Sequence, residues 1–283
     1  MKRKFRIILL LIGISLVCFV YNAIVPKTLD LKKVNNDLML LNENGYGIKI
    51  VNYAFSKENY YLKDTPILSA LFLEDKGKIA ASSGESVIEY DIENNSVRTI
   101  LKEAYVEFWD AKDDKIILRD KRGILDVKTG IIELEGLPSC SLKGCFWHNN
   151  SENIMCLEID GYDYTAPIYK NYQYSIKNSE YATLKTKSII NISNDEKYIA
   201  EINSDVLFIK DHVSIKNIEE NKTYKSISGD DIKYCKFSSD NKYVAVCRYK
   251  EKTKKYEIVI WDFVNNYKKT ISKTDSIIYC DWR

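Results

Sequence analysis

Two histidines, His148 and His212, are the first residues to test for chemistry. A hydrolytic triad needs a nucleophile, a base and an orienting acid. His148 follows Trp147 at a turn, and His212 falls in a loop with Asp205 and Asp211. Ser82-Ser83-Gly84 lacks the Gly-x-Ser-x-Gly elbow that exposes a serine nucleophile. Both histidines therefore read as ordinary loop residues. Cys140 and Cys145 form a C-x4-C pair with no second pair at zinc spacing. Asp160-Gly161-Tyr162-Asp163 brings acids together but lacks the fuller acidic loop that calcium uses. Neither a metal nor a cofactor is expected.

Binding chemistry is what remains. Asp160, Tyr162, Asp163 and Tyr164 cluster, with Tyr169 close behind. Lys250, Lys252 and Lys254, followed by Lys255, form a second group. Tyrosine offers a rigid apolar face and a hydroxyl, which suits gripping a peptide or a sugar. A solvated charge run and ordinary strand tyrosines would leave the same pattern. These two loops are the candidate contact surface.

The segment that must position them is best seen in Asp231–Ile271. Four alternating apolar runs, Ile232–Phe237, Tyr243–Arg248, Glu257–Phe263 and Lys268–Ile271, are separated by polar turns. Period-2 alternation bounded by Ser, Asp and Asn predicts four antiparallel strands, the unit of a β-propeller blade. The unit repeats. Taking Phe237 as the anchor before the first turn, its equivalents are Phe72, Trp109, Trp147, Ile192 and Trp282. Seven residues after each of the first five stands a second-strand apolar residue: Ile79, Ile116, Ile154, Ile199 and Val244. Trp261-Asp262 near the end of the third strand recurs as Tyr90-Asp91, Leu125-Asp126, Tyr174-Ser175 and Lys216-Asn217. Its short polar residue is suited to hydrogen-bond the turn backbone.

Trp282 lies one residue from the end, so only a first strand, Ile277–Trp282, fits there. The start of the domain supplies the rest: Asp37–Leu41, Gly47–Tyr53 and Asn59–Lys63. This predicts an all-β, six-bladed β-propeller closed by pairing its N- and C-terminal strands, which removes open sheet edges. Propellers commonly bind on the face carrying the loops between second and third strands. The anchor-to-turn distance is 19 and 17 residues in the first two blades but 28, 25 and 25 in the next three, so one side of that face is raised.

The pattern FSSDNKYVAV…EIVIWDF resembles the WD-repeat and TolB-like propeller families, over about residues 36–283. Six blades favour the TolB-like side. The Ser-Pro-Asp-Gly turn of such families is intact in no blade, and the His and Gly that accompany Trp-Asp in WD repeats are missing. The resemblance implies a rigid platform for proteins, peptides or glycans. Some relatives carry a fused peptidase domain, for which no room remains here.

Residues 1–6 include four bases, and Ile7–Val25 is a run of 19 uncharged residues. That run is long enough to span a bilayer, and the bases ahead of it hold the N-terminus in the cytoplasm. The organisation read from this is a basic stub (1–6), a transmembrane signal anchor (7–25), a linker (26–36) and an extracytoplasmic propeller (37–283). A cleaved signal peptide, leaving a secreted domain, is the competing reading. The formal charge of +2 misleads, because residues 28–283 hold 37 bases against 40 acids. Nucleic acid is therefore not an expected partner. Six cysteines lie beyond the anchor. Cys140–Cys145 and Cys235–Cys247 are the disulfide candidates, with small apolar packing the favoured alternative. The expected function is non-catalytic binding of a protein, peptide or envelope glycan. The alternative is a propeller enzyme, a lyase or hydrolase, acting in the central channel or on the loop face.

Overall fold

The computed structural model describes residues 28–41, 45–75, 77–102, 105–119, 123–135, 142–148, 152–163, 166–184, 188–205, 210–275 and 279–283. The described strands form six four-stranded antiparallel sheets. Blades one to five begin at Ser69, Phe108, Leu142, Ile189 and Asp231. Blade six combines Cys280–Trp282 with Asp37–Leu41, Tyr46–Asn52 and Lys57–Pro66. In that blade Leu38, Met39 and Leu40 pair with Trp282, Asp281 and Cys280. The backbones of Asp37 and Arg283 exchange two hydrogen bonds, at 3.2 and 3.0 Å, and Arg283 Nε donates to Asp37 Oδ2 at 2.8 Å.

The repeat read from the sequence is visible in the register. Phe72 faces Ile79, Trp147 faces Ile154, Ile192 faces Ile199 and Phe237 faces Val244. Blade two departs from it. Ile116 pairs with Ala111, and the strand is irregular between Phe108 and Asp110. The cause is a tighter hairpin: Asp113 and Asp114 both take φ above +50°, the two-residue turn that matches strand twist. The anchor of blade two is thus Ala111, and Trp109 is freed for another place.

The Trp-Asp position behaves alike in all six blades. A backbone N–H three residues on reaches the polar side chain at Asn52, Asp91, Asp126, Ser175, Asn217 and Asp262. The residue four on has positive φ each time: Ser56, Asn95, Gly130, Ser179, Asn221 and Asn266. Gly130 is needed, since an added Cβ would meet the Ile100 carbonyl oxygen at 2.6 Å. Blades four and five also share a Ser-x-Asp-x-Lys turn. Ser193 and Ser238 accept from Tyr198 N and Tyr243 N and donate to Asp195 and Asp240, both at 2.7 Å.

Six apolar clusters lie between neighbouring blades, one per junction. Each inner sheet is therefore buried on both faces, which explains its dense Ile, Val and Leu content. Cys145, Cys235 and Cys280 belong to three of these clusters as free thiols. Burial pushes the Cys280 thiol up to about 12. Cys247 sits opposite Tyr234, and Cys235 opposite Val246, so the Cys235–Cys247 bridge does not form. Cys145 instead faces Cys156, with sulfurs 2.9 Å apart as a thiol contact. Cys140 lies outside the described residues.

Candidate functional site

The residue one position before each anchor is Leu71, Asp110, Phe146, Asn191, Lys236 and Asp281 in blades one to six. Three of the six are charged, and they meet at the waist of the channel. Lys236 Nζ reaches across the ring from blade five to Asp110 Oδ1 of blade two at 2.5 Å. Asp281 Oδ1 of blade six lies 3.8 Å from the same ammonium. The outer oxygens are anchored too: Trp147 N donates to Asp110 at 3.0 Å, and Phe72 N to Asp281 at 2.9 Å. Burial works against the Lys236 charge, but the two carboxylates outweigh it and raise its pKa. Burial raises the Asp281 carboxyl, only partly offset by Lys236.

This triad divides two cavities. The lower, about 470 Å³, is lined by Asp110, Trp147, Asn191, Phe237 and Arg283 among others. The upper, about 300 Å³, is walled by Phe108, Trp109, Tyr234 and Tyr279 and edged by Arg119, Lys143, Asp231 and Lys233. The Arg119 guanidinium lies over the Trp109 ring, 4.8 Å from its centroid, and donates to Glu107 and to the Tyr279 hydroxyl. Tyr279 stacks on Tyr234 at 5.7 Å. Asp231 binds Lys143 at 2.7 Å and also the Lys233 ammonium. Burial alone would raise the Asp231 carboxyl, but these two lysines hold it below the ordinary range.

A side pocket of about 240 Å³ adjoins this cavity and shares Lys143, Ile159 and Asp231 with it. Tyr162, Tyr169, Lys210, Asp211 and Asp230 line the rest. Asp211 is 5% exposed and ties blade four to its neighbours. It accepts from Ser204 Oγ at 2.5 Å, Ile232 N at 3.0 Å and the Tyr169 hydroxyl at 3.3 Å. Burial, then the Asp211 charge, push the Tyr169 phenol up. Asp211→Ala would strand these donors, so a loss of about 2–4 kcal/mol is expected. Chemical denaturation measures it, and Asp211→Asn, which keeps an acceptor, should lose less.

The candidate residues drawn from the sequence separate here. Tyr162 (64% exposed) and Tyr169 line one pocket. Asp160 is exposed and 3.6 Å from Lys170, and Asp163 is exposed at the hairpin end. Tyr164 lies outside the described residues. Lys250 leans back onto the Ser228 carbonyl at 3.3 Å, and burial beside Arg248 lowers its pKa. Lys252 and Lys254 are exposed on their turn. His148 and His212 sit at opposite ends of different blades. Among the described residues, no three metal-ligating side chains converge. No helix among them is long and apolar enough to cross a membrane, and residues 7–25 lie outside them. Reading Trp109 as the anchor puts Asp110 out of line with Lys236 and Asp281, which hides the charged channel in the sequence.

No protein-family model matches the chain, and no curated protein matches it. Solved structures do. A chain of the nidogen/laminin complex is similar at 10% identity with a TM-score of 0.56, covering 87% of this chain and 98% of that one. Oligogalacturonate lyase in complex with manganese is similar at 9% identity and 0.53, covering 88% and 77%. Hydrazine synthase of Kuenenia stuttgartiensis is similar at 13% and 0.50 over 69% of this chain, which spans 62% of that one. At such identities the likeness is one of fold, and the chain is an all-β, six-bladed β-propeller of four-stranded antiparallel blades.

Proposed function

We propose that this propeller, TolB-like in kind, is held at the outer side of a membrane by residues 7–25. There it binds a protein, peptide or envelope glycan without transforming it. The upper cavity carries this reading. Trp109, Tyr234 and Tyr279 give it rigid rings, while Arg119, Lys143 and Lys233 give it charge already held in place by Glu107 and Asp231. Rings and pre-positioned polar groups in one concavity suit recognition, because little side-chain freedom is lost on binding. Tyr162 in the adjoining pocket extends the same surface outward. The pairing of Cys280–Trp282 with Asp37–Leu41 supports this reading, because a ring closed in that way would be a rigid platform. The enzyme alternative rests on Asp281, whose raised carboxyl lies in the channel. Its Oδ2 is committed to Phe72 N and its Oδ1 faces Lys236, which favours a structural role.

The test presents the full chain in lipid nanodiscs to envelope extract and to a glycan panel. Trp109→Ala and Tyr162→Ala are each expected to weaken a saturable ligand by about tenfold to a hundredfold, as central aromatic contacts do. A ligand indifferent to both changes rejects this site. A ligand chemically altered on incubation, with the alteration lost in Asp281→Asn, establishes the enzyme instead.

A further inference from the structure

The six turns between third and fourth strands share one backbone form, so their tips compare directly. Four tips are polar or charged: Glu93-Asn94, Lys128-Thr129, Lys177-Asn178 and Glu219-Glu220. Blades five and six differ. Val264 is 53% exposed, and Phe55, beside Ala54, is 72% exposed. Ile218 of blade four (49% exposed) and Ile131 of blade two (60% exposed) border their turns as well, but beside the charged tips Glu219-Glu220 and Lys128.

These two apolar tips flank the segment through which the chain enters the domain. Leu29 N donates to Lys268 O at 3.1 Å, beside the blade-five turn. Ala54 N, in the blade-six turn, donates to Val34 O at 3.2 Å. Leu29 and Val34 are buried, the Tyr243 hydroxyl binds Lys33 O at 3.0 Å, and Asn36 binds Ser239 at 2.9 Å. Residues 28–36 are thus fastened to the edge of the disc between blades five and six. Lys32 and Lys33 on this strap, and Lys57 beside Phe55, are exposed.

We infer that this edge rests on a lipid bilayer bearing anionic headgroups, with Phe55 and Val264 in the interface and the lysines on the phosphates. The inference rests on the membrane-anchor reading above. An uncharged run of 19 residues ends at Val25, three positions before Thr28, so an inserted anchor brings this edge to the bilayer. Two apolar tips with Lys32, Lys33 and Lys57 exposed near them, against the exposed acids Asp30 and Glu58, are the composition that a headgroup boundary attracts. The fastened strap fixes the orientation: the opposite face, with Tyr162 and the upper cavity, points away from the membrane.

The test uses the full chain in nanodiscs containing phosphatidylglycerol. Nitroxide labels are placed at Lys57→Cys and Asn265→Cys, with Lys128→Cys in blade two as control, and their exposure to dissolved oxygen and to a nickel chelate is compared. The expected result is oxygen-accessible, chelate-protected labels at 57 and 265 and the reverse at 128. Phe55→Ser with Val264→Ser should return the label at 265 to the aqueous pattern. Three labels equally open to the chelate, in a chain that resists alkaline extraction, overturn the inference and leave the anchor standing. Protection only after envelope protein is added overturns it in favour of a protein partner. Release of the chain by alkaline extraction overturns both readings.

Discussion

Lys236→Met is expected to destabilise the folded domain by about 3–5 kcal/mol at neutral pH, the cost of leaving buried charge uncompensated. The lysine bridges blades two, five and six, and the two carboxylates it faces are fixed by backbone N–H groups of blades three and one. Methionine keeps the length of the stem but leaves Asp110 and Asp281 facing a closed waist with no cation. The loss should shrink as pH falls, because burial already raises the Asp281 carboxyl and its protonation removes the repulsion. The wild type has a related dependence. Lys236 binds its proton more tightly when folded, so its contribution is full below the ordinary lysine value of 10.5 and is lost as pH rises through the higher folded value. Asp281 has the same sign: its folded pKa is raised above 3.8, so stability is lost as pH rises through that raised value. Chemical denaturation at neutral and mildly acidic pH reads the loss in Lys236→Met and its shrinkage, and the wild-type Lys236 dependence is read at pH above 10.5. An unchanged midpoint for Lys236→Met, or an equal loss at both pH values, would remove the triad from its place as the centre of the ring. Adding Asp110→Asn to Lys236→Met should recover part of the loss.

The fold was legible in the sequence because blade geometry depends on local patterns. A polar residue after Trp261 or Tyr90 makes its turn by hydrogen bonds within four residues, and that chemistry survives the loss of every family signature around it. Strands buried on both faces between blades read as near-continuous apolar runs, as the start of Tyr243–Lys250 does. The channel was less legible because its charges pair across distances the sequence does not display. Lys236 and Asp110 are 126 residues apart, and Lys143 and Asp231 are 88 apart. The signal that could have found them is parity. Cys235 and Cys280 pack within blade junctions, so their neighbours Lys236 and Asp281, of opposite parity on the same strands, hold the channel. One irregular residue near Trp109 was enough to hide the third member. Tyr169 shows the converse: a tyrosine in the right region is held by Asp211 through its hydroxyl.

Deleting Ile277–Arg283 is expected to abolish cooperative folding at ambient temperature. The deletion removes the first strand of blade six and its pairings with Leu38, Met39 and Leu40. It also removes Trp282, 6% exposed in the junction between blades five and six, whose truncation alone would cost about 3–5 kcal/mol. With Asp281 gone, Lys236 loses a partner and Phe72 N its acceptor. Together these exceed a large part of the roughly 5–15 kcal/mol that a domain has available. The Arg283–Asp37 ion pair adds to this: both side chains are only 24% exposed and Asp37 also accepts from Asn52 Nδ2 at 2.8 Å, so Asp37→Ala should cost about 1–3 kcal/mol. Thermal unfolding by circular dichroism separates these outcomes, and a truncated chain that melts as the intact one does would sink ring closure by the two ends. A permutant sharpens the argument. Joining residue 283 to residue 28 by a flexible linker, and opening the chain within 206–209, keeps every strand of blade six while moving the termini. Because the two ends already lie in one sheet, that permutant should fold and melt cooperatively, whereas the truncation, which changes far fewer peptide bonds, should not.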